Sequence, residues 1–331
     1  MRLMRRNPTR ASLLPRHQSA KHLTLSARAA SFRLRIGEMT DHLLDSAASL
    51  LDAGDACRIA HIRTARWISH PVASRAHNAM RLLLDRPVTL RPRGLLLTGP
   101  YHNGKTMIAE RFAIEHLRQS ERQRIWVIQT REGAGLSHFY ASILAGLRAP
   151  QASGWRSLSR AGEQVDHLLD SLKPRLLIFD EFHSALRGRR QDVKSIFSFL
   201  RRIASVHDIS PVLVGEVAVY DAVHDTEEMG SRFDTIPVPR WAYDEDFATL
   251  LDSLETCMPL ARASDLSRPS LAEIIHELSE GLIGEVVDIV SNAAITAIRN
   301  GEEHISEATI ASLGYTPLSK RRNAPLRREM M

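Results

Sequence analysis

The sequence predicts an α/β protein: a parallel sheet covered by helices on both faces and carrying a phosphate-binding loop, with a helical lead-in before it and a helical lid after it. Three observations predict this. Short unbroken apolar runs alternate with helical periods between Gly94 and Val214, the pattern of buried parallel strands joined by crossover helices. The stretch "LLLTGPYHNGKTM", Leu95 to Met107, climbs from such a run through a glycine loop into a helix. After "PVPRW", Pro237 to Trp241, strand-like runs stop and helical spacing continues to about Ser312.

In chain order, residues 1–38 lack a sustained apolar period and are expected to form a flexible basic arm. Leu43, Leu44, Ala47, Leu50 and Leu51 recur at helical spacing, as do Ile59, Ile62 and Trp67, giving a helical lead-in over 39–92 that Pro87 and Pro92 end. The core is expected over 93–240. Its strands are Gly94 to Leu97, Arg124 to Ile128, Leu176 to Phe179 and Val212 to Val214, and its helices include Thr106 to Leu117, Leu136 to Leu147 and Asp192 to Ala204. The lid follows over 241–315, with a turn at Gly281 to Gly284, and a basic tail over 316–331.

Composition narrows the class. The chain has 331 residues, 44% of them hydrophobic and 25% charged, the balance of a globular protein rather than a fibre or a disordered chain. Cys57 and Cys257 have no CxxC-type neighbours, so neither a disulfide framework nor a zinc site is indicated. No apolar run approaches the roughly 20 residues of a membrane helix, so no membrane contact is expected and the cytoplasm is the expected compartment. Charge is uneven. Met1 to Arg35 carries nine basic residues and no acidic one, and Ser319 to Met331 adds a further +4, so a net +6 leaves −7 for the middle. Such ends suit nucleic-acid phosphates, and the first also fits a transit-like segment or a start assigned too far upstream.

The chemistry lies in two motifs. Gly99-Pro100-Tyr101-His102-Asn103-Gly104-Lys105-Thr106, between a strand and a helix, is a P-loop. Loop and helix N–H groups point at anionic oxygens, Lys105 is expected to reach the β and γ phosphates of ATP, and the Thr106 hydroxyl to coordinate Mg²⁺. In "RLLIFDEFHSAL", 75 residues on, an apolar strand ends in two carboxylates. Asp180 is expected to hold the metal and Glu181 to polarise the attacking water. Arg232, in "GSRFD", offers a planar fork suited to charge building on a γ-phosphoryl group, and equally fits a packing role. His102 and His183 are expected to be loop and core-edge residues, since they share no metal-ligand spacing.

In order, "RTARWISHP", "LLLTGPYHNGKTMIAERF", "LLIFDEFHSAL", "GSRFDTIPVPRW" and "GLIGEVVDIVSNAAITAIRNGEEHI" resemble the TniB family of transposition helper ATPases, TnsC-like members of the AAA+ superfamily, over about Ile59 to Ile305. The resemblance implies a AAA+ ATPase core, ATP-dependent homo-oligomer assembly on double-stranded DNA, and a link between a target-selector protein and a transposase. It also implies that Arg232 completes the neighbouring subunit's site.

Two departures accompany it. Glu216 stands where related proteins keep a small polar sensor, and "GLIGE" lacks the arginine of a second sensor, so hydrolysis is expected to be slow, with ATP acting mainly as an assembly switch. For DNA, Arg187, Arg189, Arg190, Lys194, Arg201 and Arg202 form one basic cluster and Arg131 and Arg148 bracket another; a DNA-facing groove and a solvated helix face both fit. Two other functions fit the motifs: a helicase-loader or secretion-type ATPase acting on a protein, and a DNA-binding scaffold with an idle nucleotide site.

Overall fold

The computed structural model describes residues 41–89, 91–149 and 157–321. The arm expected over 1–38 and the tail beyond Arg321 lie outside these residues. Five parallel strands form one sheet: β1 (Gly94–Thr98), β2 (Ile125–Gln129), β3 (Leu176–Asp180), β4 (Ser210–Gly215) and β5 (Phe233–Pro237), in the order β2-β3-β4-β1-β5. Leu95 pairs with Val212 and Asp234, and Leu176 with Ile125 and Ser210.

Every residue of β1, β3 and β4 is buried, and their sequences are accordingly apolar runs. Alternation then divides the side chains between two faces. Leu96, Leu177, Phe179 and Leu213 enter a core with α5 (Gly135–Gly146), α6 (Leu158–Leu172), α7 (Arg190–His207) and α8 (Val217–His224). Leu95, Leu97, Leu176, Ile178, Val212 and Val214 enter a second core under α3 (Pro71–Asp85) and α4 (Lys105–Gln119). The first core is ordered by aromatic contacts, with the Phe139 ring 5.1 Å from Phe179 and edge-on to Phe182 and Phe199.

The fifth strand was not expected. It lies at the sheet edge with the sequence Phe-Asp-Thr-Ile-Pro and only Phe233 buried. An edge strand that is only partly covered has no need of an apolar run, so it carries no such signal.

A third core holds α10 (Glu245–Glu255), α11 (Pro269–Ser279), α12 (Ile283–Asn300) and α13 (Glu307–Ser312), with Asp244 and Ser306 as N-caps of α10 and α13. The lead-in helices are shared out. Ile59 and Ile62 of α2 (Asp55–Ile62), which follows the short α1 (Asp45–Ala48), pack into this third core, whereas α3 packs on the sheet. Arg58 of α2 is 6% exposed and donates to Pro259 O at 3.0 Å through Nε and to Glu303 Oε1 at 2.9 Å, a buried tie to the lid. No helix among the described residues is long and apolar enough to cross a membrane.

Candidate nucleotide site

The P-loop leaves the C-terminal end of β1, between β4 and the edge strand β5, and enters α4. Two of its glycines are structurally obligatory. A Cβ on Gly99 would stand 2.1 Å from Val238 O, a backbone atom, and Gly104 takes φ +79°, the left-handed conformation glycine adopts without cost. The loop's end and the first turn of α4 gather free N–H groups and the positive end of the helix dipole.

Lys105 is buried and its Nζ donates to Gly99 O at 3.0 Å and Pro100 O at 2.6 Å. Burial pushes its pKa below the ordinary lysine value, and the charges of Glu181, Glu216 and Asp180 oppose this. Asp180, at the end of β3, is 2% exposed. Its Oδ2 accepts the Thr106 hydroxyl at 2.9 Å, while Oδ1 is buried with no hydrogen-bond partner among the described residues. Burial raises its pKa, against the Thr106 hydrogen bond and the nearby charges of Lys105 and His183. A buried carboxylate with one unanswered oxygen beside a hydroxyl is a hard-oxygen set that fits Mg²⁺.

Glu181 follows at φ 52°, ψ 36°, left-handed for a non-glycine residue, and opens the 3-10 turn Phe182–Arg187. Its carboxylate leaves the strand direction and stands 3.3 Å from His183 Nε2, with Glu216 Oε1 3.9 Å from the same nitrogen.

The other loop residues divide. Tyr101 is 66% exposed. Asn103 is buried, and its side chain is consumed by structure: Nδ2 donates to Val238 O and Pro239 O at 2.9 and 2.6 Å, and Oδ1 accepts Ile283 N–H at 3.3 Å. His102, at φ 58°, accepts Gly284 N–H on its carbonyl at 3.0 Å. Asn103 and His102 thus fasten the loop to the lid.

The loop also walls a cavity of about 310 Å³ with Trp67, Ile68, Met107, Ile283, Val287 and Asp288. Mostly apolar, with a few polar groups and Gly104 at its edge, it suits a purine base. Its lining comes from four separated stretches, which no single motif could reveal. A larger hollow of about 550 Å³ lies between α7, α8 and the short α9 (Glu227–Gly230), away from the P-loop.

Sequence reasoning also missed Arg321, on the short α14 (Leu318–Arg321). It forms an ion pair with the buried Glu285, which in addition accepts the Tyr315 hydroxyl and faces His102 Nδ1 at 3.4 Å. Burial of Glu285 would raise its pKa, yet hydrogen bonds from Tyr315 and Arg321 outweigh this and hold it below the ordinary glutamate value. An arginine therefore reaches the "GLIGE" segment from the far end of the chain.

Arg232 is not brought to this site. Gly94 N–H donates to Arg232 O at 2.8 Å, so Arg232 marks the N-terminal end of β1 and β5, one five-residue strand, or roughly 16 Å, from the loop. Its Nε and Nη1 are buried without partners among the described residues. Much of the basic cluster is neutralised locally: Arg187 pairs with Glu132, Arg201 with Glu228, and Arg202 with both oxygens of Asp166, while the exposed Arg190 stands 3.8 Å from Asp225.

Sheet order, P-loop, strand-end carboxylates and helical lid define a P-loop protein of the AAA+ fold. Solved structures agree in fold: Cdc6p from Pyrobaculum aerophilum (TM-score 0.57, 16% identity, 74% of this chain and 67% of that one), ORC1 of Aeropyrum pernix in complex with DNA (0.59, 14%, 77% and 68%), and ORC2 of Aeropyrum pernix with ADPNP and ADP (0.54, 14%, 76% and 70%). Residues 58–243 match the family model described as bacterial TniB protein, more than half of the chain, and the chain belongs to the TniB family. No curated protein matches it in sequence.

Proposed function

We propose that this chain is an ATP-dependent, DNA-binding regulator of transposition: ATP and Mg²⁺ bind between subunits, the bound form assembles on double-stranded DNA, and a transposase and a target selector read that assembly. The observation that carries the reading is the Thr106–Asp180 pair, with its unanswered carboxylate oxygen, beside Lys105 at the C-terminal end of the central strands. Membership of the TniB family supports the transposition role. A neighbour in fold that is itself described in complex with DNA supports the DNA ligand.

Thr106 Oγ1 and Asp180 would hold Mg²⁺, which would supply charge neutralisation for the bound phosphates. Lys105 would exchange its two loop carbonyls for phosphate oxygens. Glu181 would orient the attacking water, and Arg232 would face the γ-phosphate of the next subunit, since its own is a sheet length away.

The test is co-sedimentation of the protein with duplex DNA, with and without a non-hydrolysable ATP analogue. Analogue-dependent pelleting is expected. Binding by a monomer regardless of nucleotide would favour the scaffold reading, and indifference to DNA with stimulation by a protein the loader reading; either defeats the proposal.

A further inference from the structure

Glu216 raises a problem that the P-loop reading must answer. It begins α8 directly after β4, and with Asp180 and Glu181 it is one of three carboxylates whose charges act on Lys105. A triphosphate placed there would meet a surplus of negative charge. Glu216 is its helix's N-cap residue, but its side chain makes no capping hydrogen bond, so the carboxylate is free for another purpose.

That purpose is visible in the packing. Phe182 is fully buried among Phe139, Phe179 and Phe197, which fixes the 3-10 turn against the end of β4. The approach is close enough that a Cβ on Gly215 would stand 3.4 Å from His183 N and 2.7 Å from Val219. His183 is thereby wedged between the two motifs, its Nε2 3.3 Å from Glu181 Oε2 and 3.9 Å from Glu216 Oε1. Its other ring nitrogen, Nδ1, is buried with no partner among the described residues, so the carboxylate-facing edge is the one with polar company.

We propose that His183 is a positioning residue that gathers the Glu181 and Glu216 carboxylates on its Nε2 edge, so that Glu216, at the sensor position, does not repel a γ-phosphate. The inference rests on the reading of the P-loop as an ATP site. It makes His183 and Glu216 a unit: a histidine borrowed from the turn after β3 makes a carboxylate tolerable where a small polar residue would otherwise be needed. ADP, lacking the γ-phosphate, should be insensitive to the arrangement.

The experiment is binding of a non-hydrolysable ATP analogue and of ADP to the full-length chain, followed by fluorescence, in EDTA and again with Mg²⁺. For His183→Ala the ATP analogue is expected to weaken about tenfold, the scale of one unscreened like charge at about 6 Å in a partly solvated site, while ADP changes less than about twofold. Glu216→Gln added to His183→Ala should restore the analogue, a rescue that a merely structural role for His183 would not give. His183→Phe keeps a ring on the turn and should reproduce the loss, so the comparison survives if the alanine variant does not fold. Equal weakening of both nucleotides, no weakening of either, or failure of the rescue overturns the role of His183. Failure of the unaltered protein to bind either nucleotide would instead defeat the ATP-site reading on which the role rests.

Discussion

Asp180→Asn should make the nucleotide-free protein more stable while disabling its site. Asp180 is 2% exposed, one of its oxygens has a single hydroxyl partner, and the other has none among the described residues. A buried, unsatisfied acceptor costs about 1–3 kcal/mol, and more when charged. The asparagine keeps an oxygen for Thr106 and removes the charge. It leaves an amide without an evident partner and takes one favourable charge from Lys105, which retains Glu181 and Glu216. The net gain should be about 1 kcal/mol, or roughly 2 °C in midpoint for a chain of this size. The sign can be checked with pH. Burial raises the Asp180 pKa in the folded state, so its contribution to stability is fully present below the unfolded value near about 3.9 and lost as pH rises through the folded value. Thermal unfolding in EDTA at pH 7 should therefore separate variant from parent, and the gap should close as pH approaches about 4. Magnesium-dependent binding of ATP should be lost in the same variant. A lower midpoint at pH 7, a gap that widens in acid, or undiminished magnesium dependence would each refute the assignment of Asp180 as a strained metal ligand.

Three further outcomes are expected. Lys105→Ala should abolish nucleotide binding measured by calorimetry, whereas Glu181→Gln should retain it and prolong the lifetime of DNA assemblies in the co-sedimentation assay; unchanged affinity in the lysine variant would contradict its role. Gly99→Ala forces a Cβ to 2.1 Å from Val238 O, so urea unfolding should reveal a loss of about 2 kcal/mol or more; parent-like stability would show that the β1–β5 exit is softer than its packing implies. Arg58→Ala strands Glu303 and should cost about 3 kcal/mol in the same assay. Burial alone would raise the Glu303 pKa, but hydrogen bonds from Arg58 and Ala261 N–H outweigh it and hold the value below normal. That stabilisation is present above about 4.3 and lost as pH falls through the folded value, so the variant should depend less on pH in acid.

What the sequence determined is local. Gly99 to Thr106 was legible as a loop between strand and helix because the motif is contiguous, and Asp180 as the end of an apolar run that burial on both faces requires. The strands β1, β3 and β4 declared themselves for the same reason, and β5 did not because a strand at the edge satisfies its backbone on one side only.

Tertiary structure decided everything that depends on convergence. The apolar cavity beside the P-loop joins Trp67, Met107 and Val287, Arg321 travels from the chain's end to Glu285, and His183 meets Glu216 across the gap between two strands. It also separated Arg232 from its own P-loop, since in a parallel sheet the start of one strand lies a strand's length from its neighbour's end. Periodicity and motif record what a residue's neighbours in the chain require of it. Distances between residues far apart in the chain are set by how three cores pack, a cooperative outcome that no window of sequence contains.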